Sequence, residues 1–246
     1  MNRAIRSCVA VCALMGLFAV STANATSVLY WVDANQGTNP FPQAMADLGL
    51  TVTTATDAAN FNSELGLGGW NLVILFQQDE DWAGTITGVP AYLGGGGKMI
   101  LDNWYGYTDT TWNSLFGVTY TGTDNQSSVT LDAPFLQAGI GSSLSLTNPG
   151  WGIYSYDMAL AGATEGATFG DGSVAIAYQD DQTIINGFLG DTFVDPSGAG
   201  VQLAENEIGY LLTGAPPSTV PEPATMTLLG LGLAGLVAKV ARRKNR

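Results

Sequence analysis

Six acidic residues stand at or shortly after apolar, strand-like runs: Asp33, Asp57, Asp79, Glu80, Asp81 and Asp102. Carboxylates gathered at one edge repel each other unless a cation bridges them. An all-oxygen set suits Ca²⁺ or Mg²⁺ better than a transition metal. Asp33, Asp79, Glu80, Asp81 and Asp102 are therefore the candidate metal ligands, with Ca²⁺ as the ion, while Asp57 also reads as a helix N-cap. Aromatic residues fall at the same places: Trp31, Trp82, Trp104, Tyr105 and Tyr107. Rings stack on the apolar faces of sugars while carboxylates and amides bond to hydroxyls. That makes Trp31, Trp82, Trp104 and Tyr105 candidate carbohydrate contacts. Two carboxylates alone can also hydrolyse a glycosidic bond, and any pair among Asp33, Glu80, Asp81 and Asp102 would supply them. N-caps, solvated loop charges and core aromatics account for the same residues with no site at all. Asp171-Gly172 and Asp180-Asp181 resemble fragments of calcium loops but lack the full spacing, so they read as turns.

Other chemistry is excluded by composition. The chain has 246 residues and no histidine, which rules out Ser-His-Asp triads, Cys-His dyads and His-ligated zinc. Both cysteines, Cys8 and Cys12, lie near the N-terminus. From Thr26 to Thr219 a single base, Lys98, faces 20 acids, a net charge of −19. Phosphate binding needs a cationic footprint, so no nucleic-acid partner is expected.

The elements that would position these groups follow an alternating order. Val28–Val32 reads as a strand, 41–48 as a short amphipathic helix, and 51–54 as a β-branched strand. A helix follows from Asp57 through Leu65, and the continuous apolar run 72–76 has the pattern of a central parallel strand buried on both faces. A further helix is expected over 85–93, although Gly88 and Pro90 interrupt it, and then a fourth strand over 99–101. This order predicts an α/β fold with a single doubly wound, mostly parallel sheet. From Val118 to Leu146 short Thr/Ser-rich strands predict a β-rich insertion or an antiparallel edge. Residues 173–178 and 183–188 form a returning hairpin around Asp180-Asp181, and 201–212 a closing helix. In open sheets of this kind ligands bind beyond the carboxyl ends of the strands, where the acids and aromatics lie.

Both ends of the chain read as addresses. Residues 1–25 have the form of a secretory signal peptide: Arg3 and Arg6, the apolar run 8–20, then Ala23-Asn24-Ala25 as a cleavage site. Cleavage there removes both cysteines, leaving a mature protein without disulfides or thiols. The remainder divides into an extracytoplasmic body at 26–212, a linker at 213–219 and a terminal signal at 220–246. The apolar stretch 224–237, followed by Lys239 and a basic cluster from Arg242, predicts a short transmembrane helix with its C-terminus in the cytoplasm.

Val220-Pro221-Glu222-Pro223, the Leu/Gly-rich segment 228–236 and Arg242-Arg243-Lys244 occur in that order. Together they resemble the PEP-CTERM sorting domain, also known as the ice-binding protein C-terminal domain. The resemblance implies an exported protein from an exopolysaccharide producer. The membrane helix would hold the body facing the periplasm until an exosortase recognised Pro221-Glu222-Pro223, and the outer surface or extracellular matrix would follow. In the body, residues 71–76, the segment 92–101 and Asn186-Gly187-Phe188 resemble the class I glutamine amidotransferase-like, flavodoxin-like group. Catalytic members carry a reactive residue just beyond the strand that here ends in Leu101, but Asp102-Asn103-Trp104 offers neither cysteine nor histidine, so no catalytic residue carries over. Two functions stay open: a non-catalytic binding or structural body that takes a cation or exopolysaccharide, and a carboxylate-based hydrolase of an extracellular polymer.

Overall fold

The run Leu72–Gln77 forms the central strand, β3, and every residue of it is buried. The computed structural model describes residues 26–137, 139–147 and 155–214. The predicted signal peptide, the sorting signal and the predicted transmembrane helix lie outside the described residues. Within them no helix is long and apolar enough to cross a membrane.

Around β3 the strands β1 (Ser27–Val32), β2 (Thr51–Thr54), β4 (Met99–Asn103) and β11 (Thr183–Asn186) run parallel in the order β2-β1-β3-β4-β11. Numbered by their succession in the chain, these five have the order 2-1-3-4-5 of the flavodoxin-like arrangement. Each is followed by a helix: α1 (Phe41–Asp47), α2 (Ala58–Leu67), α3 (Val89–Gly94), α4 (Thr110–Leu115) and α5 (Val201–Thr213). Strand side chains alternate between faces, so Val28, Tyr30, Ile74 and Phe76 pack with α1 and α5. Leu29, Trp31, Val73 and Leu75 pack with α2, α3 and α4 on the other side. The Asp57 side chain accepts from the Asn60 N–H at 2.8 Å and caps α2. Gly214, left-handed at φ +72°, ends α5.

Two expectations change. The helix foreseen over 85–93 begins only at Val89, because Pro90 is tolerated in a first turn but not further in. Residues 82–86 instead form a turn, with the Thr85 and Ile86 N–H groups bonded to the Trp82 carbonyl. The sheet, moreover, is mixed, with antiparallel pairings outnumbering parallel ones. Between α4 and β11 the chain inserts β5 (Val118–Asp124), β6 (Ser128–Leu131), β7 (Ser143–Ser145), β8 (Ser155–Leu160), β9 (Thr164–Phe169) and β10 (Val174–Gln179). The insertion is thus longer than the 118–146 segment expected. β9 and β10, joined through residues 170–173, and β10 and β11, joined through 180–182, pair antiparallel because connections that short cannot make a parallel crossover. β10 and β11 form the predicted hairpin, turning at Asp180 with φ +43°, and so join the inserted strands to the parallel half.

Candidate functional site

The carboxyl ends of β1, β3 and β4 bring the predicted acids to one edge, and there Asp33 turns toward the backbone. Its Oδ1 accepts from the N–H groups of Ala34 and Gln78, both at 2.7 Å. Its Oδ2 accepts from the N–H of Asp79 at 2.9 Å, that of Glu80 at 3.3 Å and Trp82 Nε1 at 2.8 Å. One carboxylate thereby clamps the loop after β3 onto the end of β1. The side chains of Asp79, Glu80 and Asp81 remain exposed. Asp81 accepts from Thr108 Oγ1 at 2.8 Å, tying the β3 loop to the loop after β4.

Asp102 stands apart from these acids. It projects on the face covered by α1 and α5, is fully buried, and accepts from Asn186 Nδ2 at 2.7 Å and the Gly190 N–H at 3.0 Å. Asn186 Nδ2 also reaches Glu207 Oε2 at 3.3 Å, so one amide bridges two buried carboxyl groups. A third, Asp191, accepts from the N–H groups of Gln36 and Gly37 and from Gln78 Nε2. No base lies among them. Burial pushes the Asp102 carboxyl up to about 7; the Asn186 and Gly190 bonds pull it down, and the charge of Asp191 adds to the rise. Burial, then the charge of Asp102, holds Glu207 well above the usual carboxylate range. Burial also raises Asp191. Tyr30 Oη, Asn186 Oδ1 and Glu207 Oε1 have no hydrogen-bond partner. The void beside Asp102, Asn186 and Glu207 measures about 10 Å³, room for one water at most. A void this small has no room for a polymer beside Asp102 and Glu207. The sequence reading missed Glu207, Asn186 and Asp191. A signal existed for the first: Glu207 falls three residues after Ala204 and four before Leu211, on the apolar stripe of its helix.

The predicted aromatics divide as well. Trp31 is buried against Phe61 and Trp82, with ring centroids 5.9 and 5.3 Å away. Trp82 is half-buried, held by Asp33, and Trp104 is half-buried against the α1/α5 core. Tyr105 alone of the four opens onto a row of rings. It stacks on Tyr107 at 5.9 Å and 29°, Tyr107 meets Tyr120 at 6.3 Å, and Tyr120 meets Tyr156 at 5.8 Å. The Tyr105 hydroxyl is anchored on the Asp79 carbonyl. Tyr107 is 52% exposed and Tyr120 36%. The two line an open groove of about 310 Å³, together with Thr110, Asn113, Ser114 and Thr119. Asn113 is buried and positions the wall, donating to the Gly106 carbonyl and accepting from the Tyr156 hydroxyl at 3.0 Å. Asp109 caps α4 through the Trp112 N–H at 2.8 Å, and burial pushes its carboxyl up to about 6. Tyr120 was missed because it belongs to the inserted β5, and nothing local in its Thr-rich run says that it will meet the β4 loop.

Among the described residues, the carboxylates close enough to share one ion are those of Asp124, Asp157 and Asp171, whose oxygens lie within 4.8 Å of one another. Ser173 already sits between two of them, its N–H donating to Asp171 at 2.9 Å and its hydroxyl lying 2.7 Å from Asp171 Oδ1 and 3.1 Å from Asp157 Oδ1.

Residues 219–244 match the model of the PEP-CTERM protein-sorting motif. The chain therefore carries the sorting signal of an exported protein that an exosortase processes at the membrane. No curated protein matches it in sequence. Among solved structures it is similar to a glutamine amidotransferase of Thermotoga maritima at 10% identity, covering 69% of this chain and 77% of that one with a TM-score of 0.48. A glutamine amidotransferase of Methylobacillus flagellatus is similar at 11% identity, 69% and 72% coverage and a TM-score of 0.45. An exo-β-1,4-mannosidase of Opitutaceae bacterium strain TAV5 is similar at 12% identity over 77% of this chain and 35% of that one, with a TM-score of 0.45.

Proposed function

We propose that this is an exported, exosortase-processed envelope or matrix protein whose body is a non-catalytic module for binding extracellular polysaccharide. The tyrosine-lined groove at the carboxyl edge of the sheet carries this reading, because Tyr107 and Tyr120 meet solvent there beside hydroxyl groups, although of the four predicted sugar contacts only Tyr105 adjoins it, stacked on Tyr107. A hydrolase needs two carboxyl groups flanking a bound glycosidic bond. Of the four acids of the hydrolytic alternative, Asp33 is engaged with five N–H donors and Asp102 is sealed in the core, which leaves Glu80 and Asp81 as its exposed pair.

Two measurements test the proposal. In the native host, a variant with Glu222→Ala and Pro223→Ala should keep the body in the membrane fraction; normal release of that variant refutes the sorting part. Purified protein incubated with polysaccharides should bind saturably without releasing reducing ends. Reducing ends that accumulate with time refute the non-catalytic part.

A further inference from the structure

Resting on that reading, we infer that the groove of Tyr107 and Tyr120 takes an uncharged glycan and rejects acidic ones. The lining contains no charged side chain: two partly exposed rings stand beside the exposed hydroxyls of Thr110, Ser114 and Thr119. Such a surface stacks on the apolar face of a pyranose and exchanges hydrogen bonds with its hydroxyls, with no charge to pair. At about 310 Å³ the groove accommodates one or two sugar units of a longer chain.

The rim decides between neutral and acidic sugars. Asp81, exposed, accepts from Thr108, the residue after Tyr107, whereas Asp109 beside Thr110 is buried and caps α4. The exposed side chains of Asp79 and Glu80 follow along the same loop, whose backbone binds Tyr105. The one base of the body, Lys98, precedes the opposite end of β4 and is paired with Asp181 at 2.9 Å. A uronate or sulfate entering the groove would meet like charges and no partner, which is an arrangement that excludes a ligand rather than recruits it. A second aromatic groove of about 500 Å³, around Trp70 and Tyr92, lacks this chemistry. Its other walls are mostly glycine and apolar, and its polar aromatic atoms are taken, Trp70 Nε1 by the Glu64 carbonyl and the Tyr92 hydroxyl by Lys98.

The test is affinity electrophoresis and calorimetry of the purified protein with a galactomannan, a β-1,3-glucan, an α-glucan and alginate, at low and at 0.5 M (order-of-magnitude) NaCl. At least one neutral polymer should bind with little salt dependence, and alginate should not. Tyr107→Ala should weaken binding about tenfold, while Tyr107→Phe, which keeps the ring, should stay near wild type. Because Tyr107 is largely exposed, its loss should leave the fold intact, checked by near-UV circular dichroism. Binding of alginate alone, or neutral binding untouched by both Tyr107→Ala and Tyr120→Ala, overturns this inference while leaving a polysaccharide-binding body standing. Failure to bind any of the four overturns the inference and the binding reading together.

Discussion

Raising the pH from 5 to 8 should destabilise this protein, and Asp102 should account for much of the loss. Its carboxyl group goes from a value of 3.8 when free to about 7 in the fold, so the folded state holds its proton more tightly than the unfolded chain. A raised folded value contributes stability that is complete below the unfolded value and disappears as pH rises through the folded one. At roughly 1.4 kcal/mol per pKa unit, the part lost between pH 5 and 8 is about 2 to 3 kcal/mol. The group is fully buried with no base nearby, so solvent screening offsets little of this. For a domain of this size that corresponds to a fall in Tm on the order of 5–10 °C. Glu207 is raised in the same direction, by burial and by the charge of Asp102, and faces Asp102 across the shared Asn186 amide. Tyr30 on β1 and Asp191 add only further acids to the surroundings, both raised in the same sense. The assay is thermal unfolding of the purified protein at constant ionic strength in half-unit pH steps, for wild type, Asp102→Asn and Glu207→Gln. Asp102→Asn should lie below wild type at pH 5, where one of its two accepted bonds is compromised, and should show a visibly flatter pH profile. A wild-type Tm that is level or rising from pH 5 to 8 refutes the reasoning. So does an equal slope in Asp102→Asn.

Three other outcomes follow from the same edge and its neighbours. Asp33→Ala removes the acceptor of five hydrogen bonds and should cost about 2–3 kcal/mol in urea unfolding, with red-shifted tryptophan emission as Trp82 loses its partner; an unchanged midpoint would show that the clamp is idle. Asp157→Asn should raise Tm at pH 7, by about 1 kcal/mol or less, because burial and the charges of Asp171 and Asp124 push this carboxyl up. That gain should shrink as the pH falls and the wild-type group takes up its proton, and a fall in Tm at pH 7 would show instead that the charge is needed. Asp57→Ala should cost about 1 kcal/mol through the lost cap of α2, read as earlier urea unfolding, whereas neutrality would mean that the cap is replaced.

Much of the parallel half was legible along the chain because its signals are local. Apolar runs, alternation, a capping aspartate and a turn at Asp180-Asp181 each act over fewer than about ten residues. The sorting signal was equally legible, since proline, glycine, apolar and basic residues in a set order need no fold to be read. What tertiary structure alone decided is where side chains from distant segments point. Asp33 reads along the chain as a candidate metal ligand, but only the fold shows that the loop after β3 presents three backbone N–H groups and an indole to it. Asp102 resembled an edge acid, but strand alternation sends it to the α1/α5 face, where Glu207 arrives from a helix 105 positions later. Tyr120 comes to Tyr107 only because β5 crosses past α4. Local sequence sets conformation through short-range sterics and hydrophobic periodicity. Register and packing between segments far apart decide which polar groups find donors, which lose water, and which rings remain open to a ligand.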